Sequence, residues 1–350
     1  MKPLNIIDRL FSLVSYDVGI DLGTANTLVS VLGKGIVIRE PSVVSMHKKT
    51  KQIIAIGTEA KKMVGRTPAN IITVPPLSDG VIADFDAAAA MLRHYIKKIH
   101  ETPGWTPKIP KPRVAVGIPA GVTEVERRAV QEAALSAGAR RAYLIEEPMA
   151  AAIGAGINID DNRGSMIVDI GGGTTEMAVI SLGGIVVNKS IRIAGKEMDE
   201  AIVNFLRLKY GVLIGERTAE ELKINLGSIE EDKHAVVRGR DLETGLPKSL
   251  RISSGEVKEA MAPVLNQIIE SIKDLIEETP PELVSDILER GLILAGGGSL
   301  LTGVDKMISG STKIPVWVCE EPMAAVVRGC VRVLEDVKLL EKVRVTGGLR

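Results

Sequence analysis

The sequence predicts an α/β protein with two similar lobes, and three observations lead to this prediction. The chain has 350 residues, more than twice the ~150 residues of one typical domain. A strand, a small polar turn and a second strand occur twice, once around Asp21 and again around Asp169. Helical and strand-like stretches alternate along the remainder. We therefore expect parallel or mixed sheets covered by helices in each lobe, with a ligand cleft between the lobes.

The composition indicates a globular protein with a packed core. Apolar residues make up 45% of the chain and charged residues 25%, which excludes a disordered or fibrous chain. Lys plus Arg and Asp plus Glu both number 44, so no bulk charge favours nucleic acid as a partner and we expect none. Cys319 and Cys330 are too few for a disulfide framework, which predicts a reducing cytoplasm.

The first 15 residues are predicted to form an amphipathic helix. At about 100° per residue, one half of its circumference is apolar. That half includes Leu4, Ile7, Leu10, Phe11 and Val14. Charged residues interrupt the stretch, so it is not a cleavable secretory signal, and it is shorter than the ~18 to 20 residues that cross a bilayer. Two interpretations stay open: the helix docks on the protein's own core, or it lies in a membrane surface.

The first repeat spans residues 17–31. Two apolar strands, Val18-Gly-Ile-Asp-Leu and Thr27-Leu-Val-Ser-Val, flank the turn Gly23-Thr-Ala-Asn. In the second repeat, Met166-Ile-Val-Asp-Ile and Glu176-Met-Ala-Val-Ile flank Gly171-Gly-Gly-Thr-Thr. Each repeat therefore opens one lobe with a hairpin whose turn can approach a common ligand.

Five further segments have a predicted structure. Residues 123–137 form a helix that begins with a capping box of Thr123 and Glu126, and residues 255–279 form a helix that stops before two prolines. Residues 114–118 and 292–295 are apolar enough for buried strands, and the second of these ends in a glycine turn. The highly charged residues 228–250 are typical of a peripheral subdomain.

Three glycine-rich turns follow strands and are candidates for phosphate binding. They cover residues 23–27, 171–175 and 296–299. Without a Cβ, their backbone N–H groups can approach phosphate oxygens closely. None matches a P-loop or a Rossmann dinucleotide pattern. Ordinary turn chemistry explains each turn alone equally well, but their combination with paired aspartates favours phosphate binding.

Asp21 and Asp169 each end a strand directly before such a turn. Two carboxylates at these points could hold a hydrated Mg²⁺ against a polyphosphate. Either residue alone is explained as well by a turn cap that accepts hydrogen bonds from nearby amides. Because the two aspartates recur at equivalent points of the repeats, we predict that both serve one Mg²⁺ site, with water between metal and carboxylate.

Five motifs, in order along the chain, resemble those of one protein superfamily. They are Asp21-Leu-Gly-Thr-Ala-Asn-Thr-Leu, Ile145-Glu-Glu-Pro-Met-Ala-Ala-Ala-Ile-Gly, Val168-Asp-Ile-Gly-Gly-Gly-Thr-Thr-Glu, Gly215-Glu-Arg-Thr-Ala-Glu and Pro280-Pro-Glu-Leu-Val-Ser-Asp-Ile. The pattern resembles the actin, heat-shock chaperone and sugar kinase ATPases, and among them the MreB family of bacterial actins, from about Tyr16 to Val333. The resemblance implies an actin-like ATPase fold with two ribonuclease-H-like lobes, each with an added subdomain, around a nucleotide cleft.

The resemblance also assigns site residues, with ATP and Mg²⁺ as the bound groups. Glu147 would orient the attacking water, and Thr174 would place a hydroxyl beside the γ-phosphate. The nucleotide would contact a first phosphate loop of Thr24, Ala25 and Asn26, a second loop of Gly171, Gly172 and Gly173, and a closing loop of Gly296, Gly297, Gly298 and Ser299. The adenine and ribose side would be formed by Glu220, Glu221, Leu222 and Lys223, for which an ordinary exposed helix face is the alternative.

The resemblance implies the following division of the chain. A membrane-binding helix covers residues 1–15. The first-lobe core covers residues 16–44, 87–157 and 324–350, with a subdomain at 45–86. The second-lobe core covers residues 158–193 and 258–323, with a subdomain at 194–257.

The implied function is an ATP-hydrolysing filament that organises cell-wall synthesis and determines rod shape. Its implied location is the cytoplasm, peripherally on the inner face of the cell membrane. The implied partners are further copies of the chain in paired protofilaments, the membrane surface, and the wall-elongation proteins MreC, MreD and RodZ. Trp105, in a proline-rich loop, would assist membrane contact unless it packs back on its own lobe.

Other members of the superfamily are the alternatives. A chaperone ATPase would need a substrate-binding domain, whereas the chain ends about fifty residues after Gly298. A small-molecule kinase would need an Asp general base beside an acceptor pocket, and a division actin of the FtsA type would carry its membrane helix at the carboxyl terminus. The chain departs from its relatives at Pro75 and Ser78, near positions where they commonly carry basic residues, which puts a subunit or partner contact in doubt.

Overall fold

The computed structural model describes residues 15–101, 109–227 and 233–345, and the structural statements refer to these residues. Residues 1–14 of the predicted amino-terminal helix, and Trp105, lie outside them and stay predictions. Two compact units are present. The first contains the described residues up to Asp161, Ile180–Ile185 and those from Ala324 onward, and the second contains Asn162–Val179 and Val186–Met323. The finer division into lobe cores and subdomains stays a prediction.

The described residues form 18 strands and 11 α-helices. The strands are β1 (Val18–Leu22), β2 (Asn26–Val31), β3 (Gly35–Pro41), β4 (Val44–His47), β5 (Ile53–Ile56), β6 (Ile71–Val74), β7 (Leu77–Ser78), β8 (Val81–Ile82), β9 (Arg113–Ile118), β10 (Arg141–Glu146), β11 (Ser165–Ile170), β12 (Thr175–Ser181), β13 (Gly184–Ile191), β14 (Val212–Leu213), β15 (His234–Asp241), β16 (Pro247–Ser253), β17 (Leu292–Ala295) and β18 (Val316–Val318).

The helices are α1 (Thr58–Met63), α2 (Phe85–His100), α3 (Glu124–Ser136), α4 (Glu147–Gly154), α5 (Gly195–Tyr210), α6 (Glu216–Leu226), α7 (Ser254–Glu278), α8 (Pro281–Arg290), α9 (Val304–Thr312), α10 (Ala325–Glu335) and α11 (Val337–Val343). Short 3-10 helices cover Gly297–Leu300 and Pro322–Ala324. In this part of the chain, no helix is both long enough and apolar enough to cross a membrane.

The first unit is built on a mixed five-stranded sheet with the order β10-β9-β1-β2-β3. Strands β10, β9 and β1 run parallel, whereas β2 and β3 add antiparallel. Because the carboxyl ends of parallel strands meet at one edge of a sheet, Asp21, Gly117 and Glu146 lie at the same edge. Smaller sheets of β5-β4-β6 and β7-β8 complete the strand pairing of this unit.

The second unit repeats this arrangement. Its five-stranded sheet has the order β13-β12-β11-β17-β18, in which β11, β17 and β18 run parallel. Strands β11, β12 and β13 thus take the places of β1, β2 and β3, and β17 and β18 those of β9 and β10. The duplication predicted from the sequence is confirmed by this strand order. A further sheet, β14-β15-β16, includes part of the charged segment that was predicted to be peripheral.

The helices and strands predicted from local signals are present. The strands predicted at residues 114–118 and 292–295 are β9 and β17, and the predicted helices are α3 and α7. In the capping box of α3, the Thr123 hydroxyl accepts from the Glu126 N–H at 3.3 Å and the Glu126 carboxylate accepts from the Thr123 N–H at 2.7 Å. Helix α3 is one residue shorter than predicted at each end, because its capping residues Thr123 and Ala137 flank the hydrogen-bonded helix. Helix α7 begins and ends one residue earlier than predicted, between the caps Ser253 and Thr279.

Within the first unit, helix α10 packs very closely on strands β1 and β9 and on helix α4. A Cβ added at Gly19 of β1 would lie 2.7 Å from Val331, and one at Gly117 of β9 would lie 2.8 Å from Val326. Where α10 crosses α4, a Cβ at Gly154 or Gly329 would overlap a backbone carbonyl oxygen of the other helix. Glycine is therefore required at these contacts. They bring α10, which carries Cys330, close to Asp21 at the end of β1 and to Glu147 at the start of α4.

Candidate functional site

In the first unit, acidic side chains gather at the carboxyl ends of the parallel strands. Asp21 belongs to β1, and Glu147 begins α4 directly after β10. A Cβ at Gly117 of β9 would lie 3.3 Å from Glu147 Cγ and 3.9 Å from Cys330 Sγ. Glu147 is therefore held between β9 and α10, and it is only 9% exposed.

Burial changes the protonation of this acidic group. It raises the pKa of Asp21 to about 7. Burial also raises the pKa of the Cys330 thiol, which the carboxylates of Asp21 and Glu147 raise further. Burial likewise raises the pKa of Glu146, which the positive charge of Arg127 partly opposes. Because both carboxylates raise the pKa of Cys330, Asp21 and Glu147 both lie near this thiol.

The first glycine turn is held from one side by Ser42. The Ser42 hydroxyl donates to the carbonyl of Gly23 at 2.5 Å, and the Ser42 N–H donates to the carbonyl of Ala25 at 3.0 Å. The C=O and N–H groups of one trans peptide point in opposite directions, and the described chain has no cis peptide. The N–H groups of Thr24 and Asn26 therefore point away from Ser42, as phosphate donors should.

Thr24 also contacts the loop between β7 and β8. The N–H of Gly80 donates to the Thr24 hydroxyl at 2.9 Å. Asp79 and Gly80 both have positive φ, at 51° and 76°, so this tight turn is shaped to bring the Gly80 N–H to the loop. The turn that follows Ser78 therefore makes a direct contact with the first candidate phosphate loop.

The second glycine turn is held in the same way, by the start of α5. The N–H groups of Gly195 and Lys196 donate to the carbonyls of Gly171 and Gly172 at 3.2 and 2.8 Å. By the same peptide geometry, the N–H groups of Gly172 and Gly173 point away from α5. Thr174 closes the turn, because its carbonyl accepts from the Gly171 N–H at 2.9 Å, and it is 7% exposed.

The third glycine turn packs directly on the strand end that carries Asp169. Strands β11 and β17 are neighbours, with Asp169 opposite Ala295. Gly296 has φ +80°, and a Cβ there would overlap the Asp169 carboxylate. The Ser299 hydroxyl donates to the Gly296 carbonyl at 2.7 Å and closes the turn. The structure therefore brings Asp169 and the second and third glycine turns together at one edge of this sheet.

The predicted nucleoside segment lies on α6 and is only partly available to a ligand. Leu222 is buried in the apolar core of the second unit, and exposed Glu221 pairs with Arg217 at 3.0 Å on the same helix. Glu220 and Lys223 are only partly exposed and lie one helical turn apart. The Lys223 ammonium donates to the Gly195 carbonyl at 2.7 Å and to Asp199 at 3.0 Å.

Ser42, Gly80, Gly195 and Asp199 were not predicted as site residues. Each forms a hydrogen bond with a residue that was predicted to belong to the site, and the two bonded residues are far apart in the sequence. A capping box or glycine turn can be detected in a short window, but no local pattern indicates that Ser42 holds the carbonyls of residues 23 and 25.

Comparisons with known proteins show which sequences and structures this chain resembles. The family model described as MreB/Mbl protein matches residues 15–342. The chain is 48% identical over 341 residues to the cell shape-determining protein MreB of Escherichia coli (strain K12), covering 95% of this chain and 97% of that protein. It is 46% identical over 329 residues to the cell shape-determining protein Mbl of Bacillus subtilis (strain 168), covering 93% and 98%. A crystal structure of MreB5 of Spiroplasma citri bound to ADP is similar with a TM-score of 0.87 and 38% identity, covering 93% of this chain and 97% of that one.

Proposed function

The chain belongs to the MreB/Mbl family, and from this membership we propose that it is a bacterial actin that binds and hydrolyses ATP. We propose further that it forms filaments that determine rod cell shape by organising cell-wall synthesis. The cell-shape role is supported by the names of the relatives from E. coli and B. subtilis. Nucleotide binding is supported by the ADP complex of the similar MreB5 protein.

One observation in particular supports ATP as the ligand. In each unit, hydrogen bonds hold two carbonyls of a glycine turn, so that N–H groups point to the opposite side. In each unit, an aspartate is the second-last residue of the strand that leads into the turn. Backbone amides arranged in this way favour phosphate oxygens, and a nearby carboxylate favours the cation that accompanies them.

The residues are suited to phosphoryl transfer to water. The amides of residues 24, 172 and 173 would stabilise negative charge on the phosphates, and the Thr174 hydroxyl would add a donor near the γ-phosphate. The Glu147 carboxylate, fixed between β9 and α10, would orient the attacking water. This reaction requires no covalent intermediate on the protein.

Asp21 and Asp169 are compatible with a Mg²⁺ ion that keeps its water ligands, but not with a metal site formed by protein side chains alone. Among residues 15–101, 109–227 and 233–345, no three His, Cys, Asp or Glu side chains are grouped as metal ligands. Mg²⁺ commonly keeps several waters and binds one or two carboxylates together with substrate phosphates. We propose that Asp21 and Asp169 hold it through water, where it would neutralise phosphate charge. Burial of Asp21 agrees with this role, because a nearby cation offsets the cost of a buried carboxylate.

We also propose which residues contact the nucleoside and which partners bind the chain. The half-buried face of α6 with Glu220 and Lys223 would line the adenine and ribose side, and the turn of residues 296–299 would close over the nucleotide. Further copies of the chain would be its filament partners. The membrane surface, with residues 1–15 and Trp105 as contacts, and the proteins MreC, MreD and RodZ complete the proposed partners.

Electron microscopy of the purified protein with Mg²⁺-ATP, combined with a phosphate-release assay, tests this proposal. We expect filaments and released phosphate with ATP, and denser filament arrays when anionic liposomes are added. Phosphate transferred to a small-molecule acceptor would instead support a kinase. Hydrolysis stimulated by unfolded peptides without any filament would support a chaperone, and either result would overturn the filament proposal.

A further inference from the structure

The ammonium of Lys223 is engaged within the protein, on the side of the second phosphate loop. It donates to the Gly195 carbonyl at 2.7 Å and approaches the two carboxylate oxygens of Asp199 at 2.9 and 3.0 Å. Two of the three N–H donors of the ammonium are thus used within the protein, for the Gly195 carbonyl and Asp199 Oδ2, and Asp199 Oδ1 lies within ion-pair distance. Both side chains of the pair are only 15% exposed.

The carbonyl that Lys223 holds belongs to the first turn of α5. The same turn donates two N–H groups to the second phosphate loop, from Gly195 to the Gly171 carbonyl and from Lys196 to the Gly172 carbonyl. The direction of the Gly172 and Gly173 amides depends on those two bonds. A chain of hydrogen bonds thus runs from Lys223 on α6, through Gly195, to the loop.

The packing around Gly195 leaves little room for a side chain. A Cβ at this position would lie 3.2 Å from Lys223 Nζ and 3.3 Å from the Gly171 carbonyl oxygen. Such contacts are tighter than ordinary van der Waals packing, so the lysine or the loop would have to shift by a few tenths of an ångström. A side chain at position 195 would therefore disturb the place where Lys223, α5 and the loop meet.

We propose that Asp199 and Lys223 are positioning residues that act together as a latch, holding the start of α5 and thereby aiming the amides of the second phosphate loop at the nucleotide phosphates. This inference rests on the proposed function. Asp199 thereby gains a role, and the main role of Lys223 shifts from contact with the nucleoside to support of phosphate binding. The latch therefore affects binding of the di- or triphosphate part of the nucleotide.

The latch predicts how affinity depends on the number of phosphates. We expect Asp199→Asn and Lys223→Ala each to weaken Mg²⁺-ATP binding about tenfold while changing AMP binding less than twofold. The double variant should be no weaker than either single variant, because both remove the same connection. Isothermal titration with Mg²⁺-ATP, Mg²⁺-ADP and AMP measures these affinities. The matched control is Glu200→Gln, which neutralises an exposed carboxylate of α5 beside Asp199 and should leave all three affinities unchanged.

Gly195→Ala tests the same connection without altering a charge, which matters if breaking the buried ion pair unfolds the protein. It should also lower the ratio of ATP affinity to AMP affinity, and thermal unfolding without nucleotide shows whether each variant is folded. Equal loss of AMP and ATP affinity in folded Lys223→Ala would mean a direct nucleoside contact and would overturn the latch. Unchanged affinities in folded Gly195→Ala would overturn it as well. If the wild-type protein itself binds no Mg²⁺-ATP, the proposed function fails instead.

Discussion

Individual residues at the strand ends of the first unit show how burial and chemistry are linked. Burial raises the pKa of Asp21, Glu147 is only 9% exposed, and the buried thiol of Cys330 lies close enough to both for their carboxylates to raise its pKa. A protein keeps acidic groups in such a place at a cost in stability.

Glu147→Ala should separate nucleotide binding from hydrolysis. It removes the carboxylate proposed to orient water but leaves the glycine turns and both aspartates in place. We expect ATP affinity to stay within about threefold of wild type while the hydrolysis rate falls about 100-fold, which is the range typical of a lost general base. Phosphate release under polymerising conditions measures the rate, and Glu132→Ala on the exposed face of α3 serves as control. A rate equal to that of the wild type would contradict the role of Glu147.

Asp21→Asn should stabilise the nucleotide-free protein at neutral and higher pH. The folded-state pKa of about 7 lies above the unfolded value, so the folded state binds a proton more tightly. Ionised Asp21 therefore lowers the free energy of unfolding of the wild-type protein. This destabilisation is absent below about pH 4, grows as the pH rises towards 7, and is complete above pH 7. At most it amounts to about 4 kcal/mol.

Urea unfolding without nucleotide and Mg²⁺ at pH 4.5, 6 and 8 measures this effect. The free energy of unfolding of Asp21→Asn should exceed that of the wild type by an amount that increases with pH. Glu132→Gln, at an exposed carboxyl, should show no such trend. A difference that is the same at all three pH values would mean that burial does not perturb Asp21.

At the scale of elements, close helix contacts determine where the proposed catalytic residue Glu147 lies. Helix α4 begins with Glu147, and α10 crosses it at Gly154 and Gly329 without room for a side chain. The same α10 touches β1 and β9 at Gly19 and Gly117. One helix therefore sets the positions of the strand ends and of the glutamate.

Gly329→Ala should destabilise the protein by about 3 kcal/mol, because the new methyl group would overlap the Ala150 carbonyl and force α4 and α10 apart. If the variant is folded, its hydrolysis rate should also fall, since α4 carries Glu147. Differential scanning calorimetry and phosphate release measure the two effects. Gly310→Ala on α9 is the matched control: no atom lies within 4 Å of its added Cβ, so a gain of about 0.5 kcal/mol is expected from helix propensity. Similar melting temperatures for the two variants would contradict the close crossing.

At the scale of the whole molecule, the chain is a duplication whose two halves support equivalent turns with different contacts. The two main sheets have the same strand order, and both first turns are held through two carbonyls. The contacts that hold them differ, because Ser42 serves in the first unit and the start of α5 in the second. The equivalent halves therefore present similar backbone donors with different supports.

Membrane attachment through residues 1–15 and Trp105 stays a prediction for the whole molecule. Each apolar residue of the helix could contribute ~1 kcal/mol at the interface, so one copy should bind weakly. A filament presents many copies, and avidity should make polymer binding strong. Liposome co-sedimentation with ATP should therefore show pelleting of the full-length protein, and loss of pelleting when residues 2–15 are deleted and Trp105→Ala is added. Undiminished pelleting of that combined variant, while it still polymerises, would place the membrane contact elsewhere.

The sequence by itself determined the duplication, the fold class and the strand-ending aspartates. These features depend on local patterns: alternating apolar runs mark the strands, glycines mark the turns, and Thr123 with Glu126 marks a helix start. The family resemblance added Glu147 and the nucleoside segment, whose roles stay proposals. Leu222 shows the limit of such a transfer, because its side chain is part of the core.

Only the tertiary structure decided which residues support the site. Ser42 reaches Gly23, Gly80 reaches Thr24, and Lys223 reaches Gly195 across separations of 19, 56 and 28 residues. Such contacts arise when sheets and helices pack, and their partners share no periodic spacing that a single sequence could show. The direction of a backbone amide is likewise invisible in the sequence, because it depends on which distant group holds the carbonyl of the same peptide.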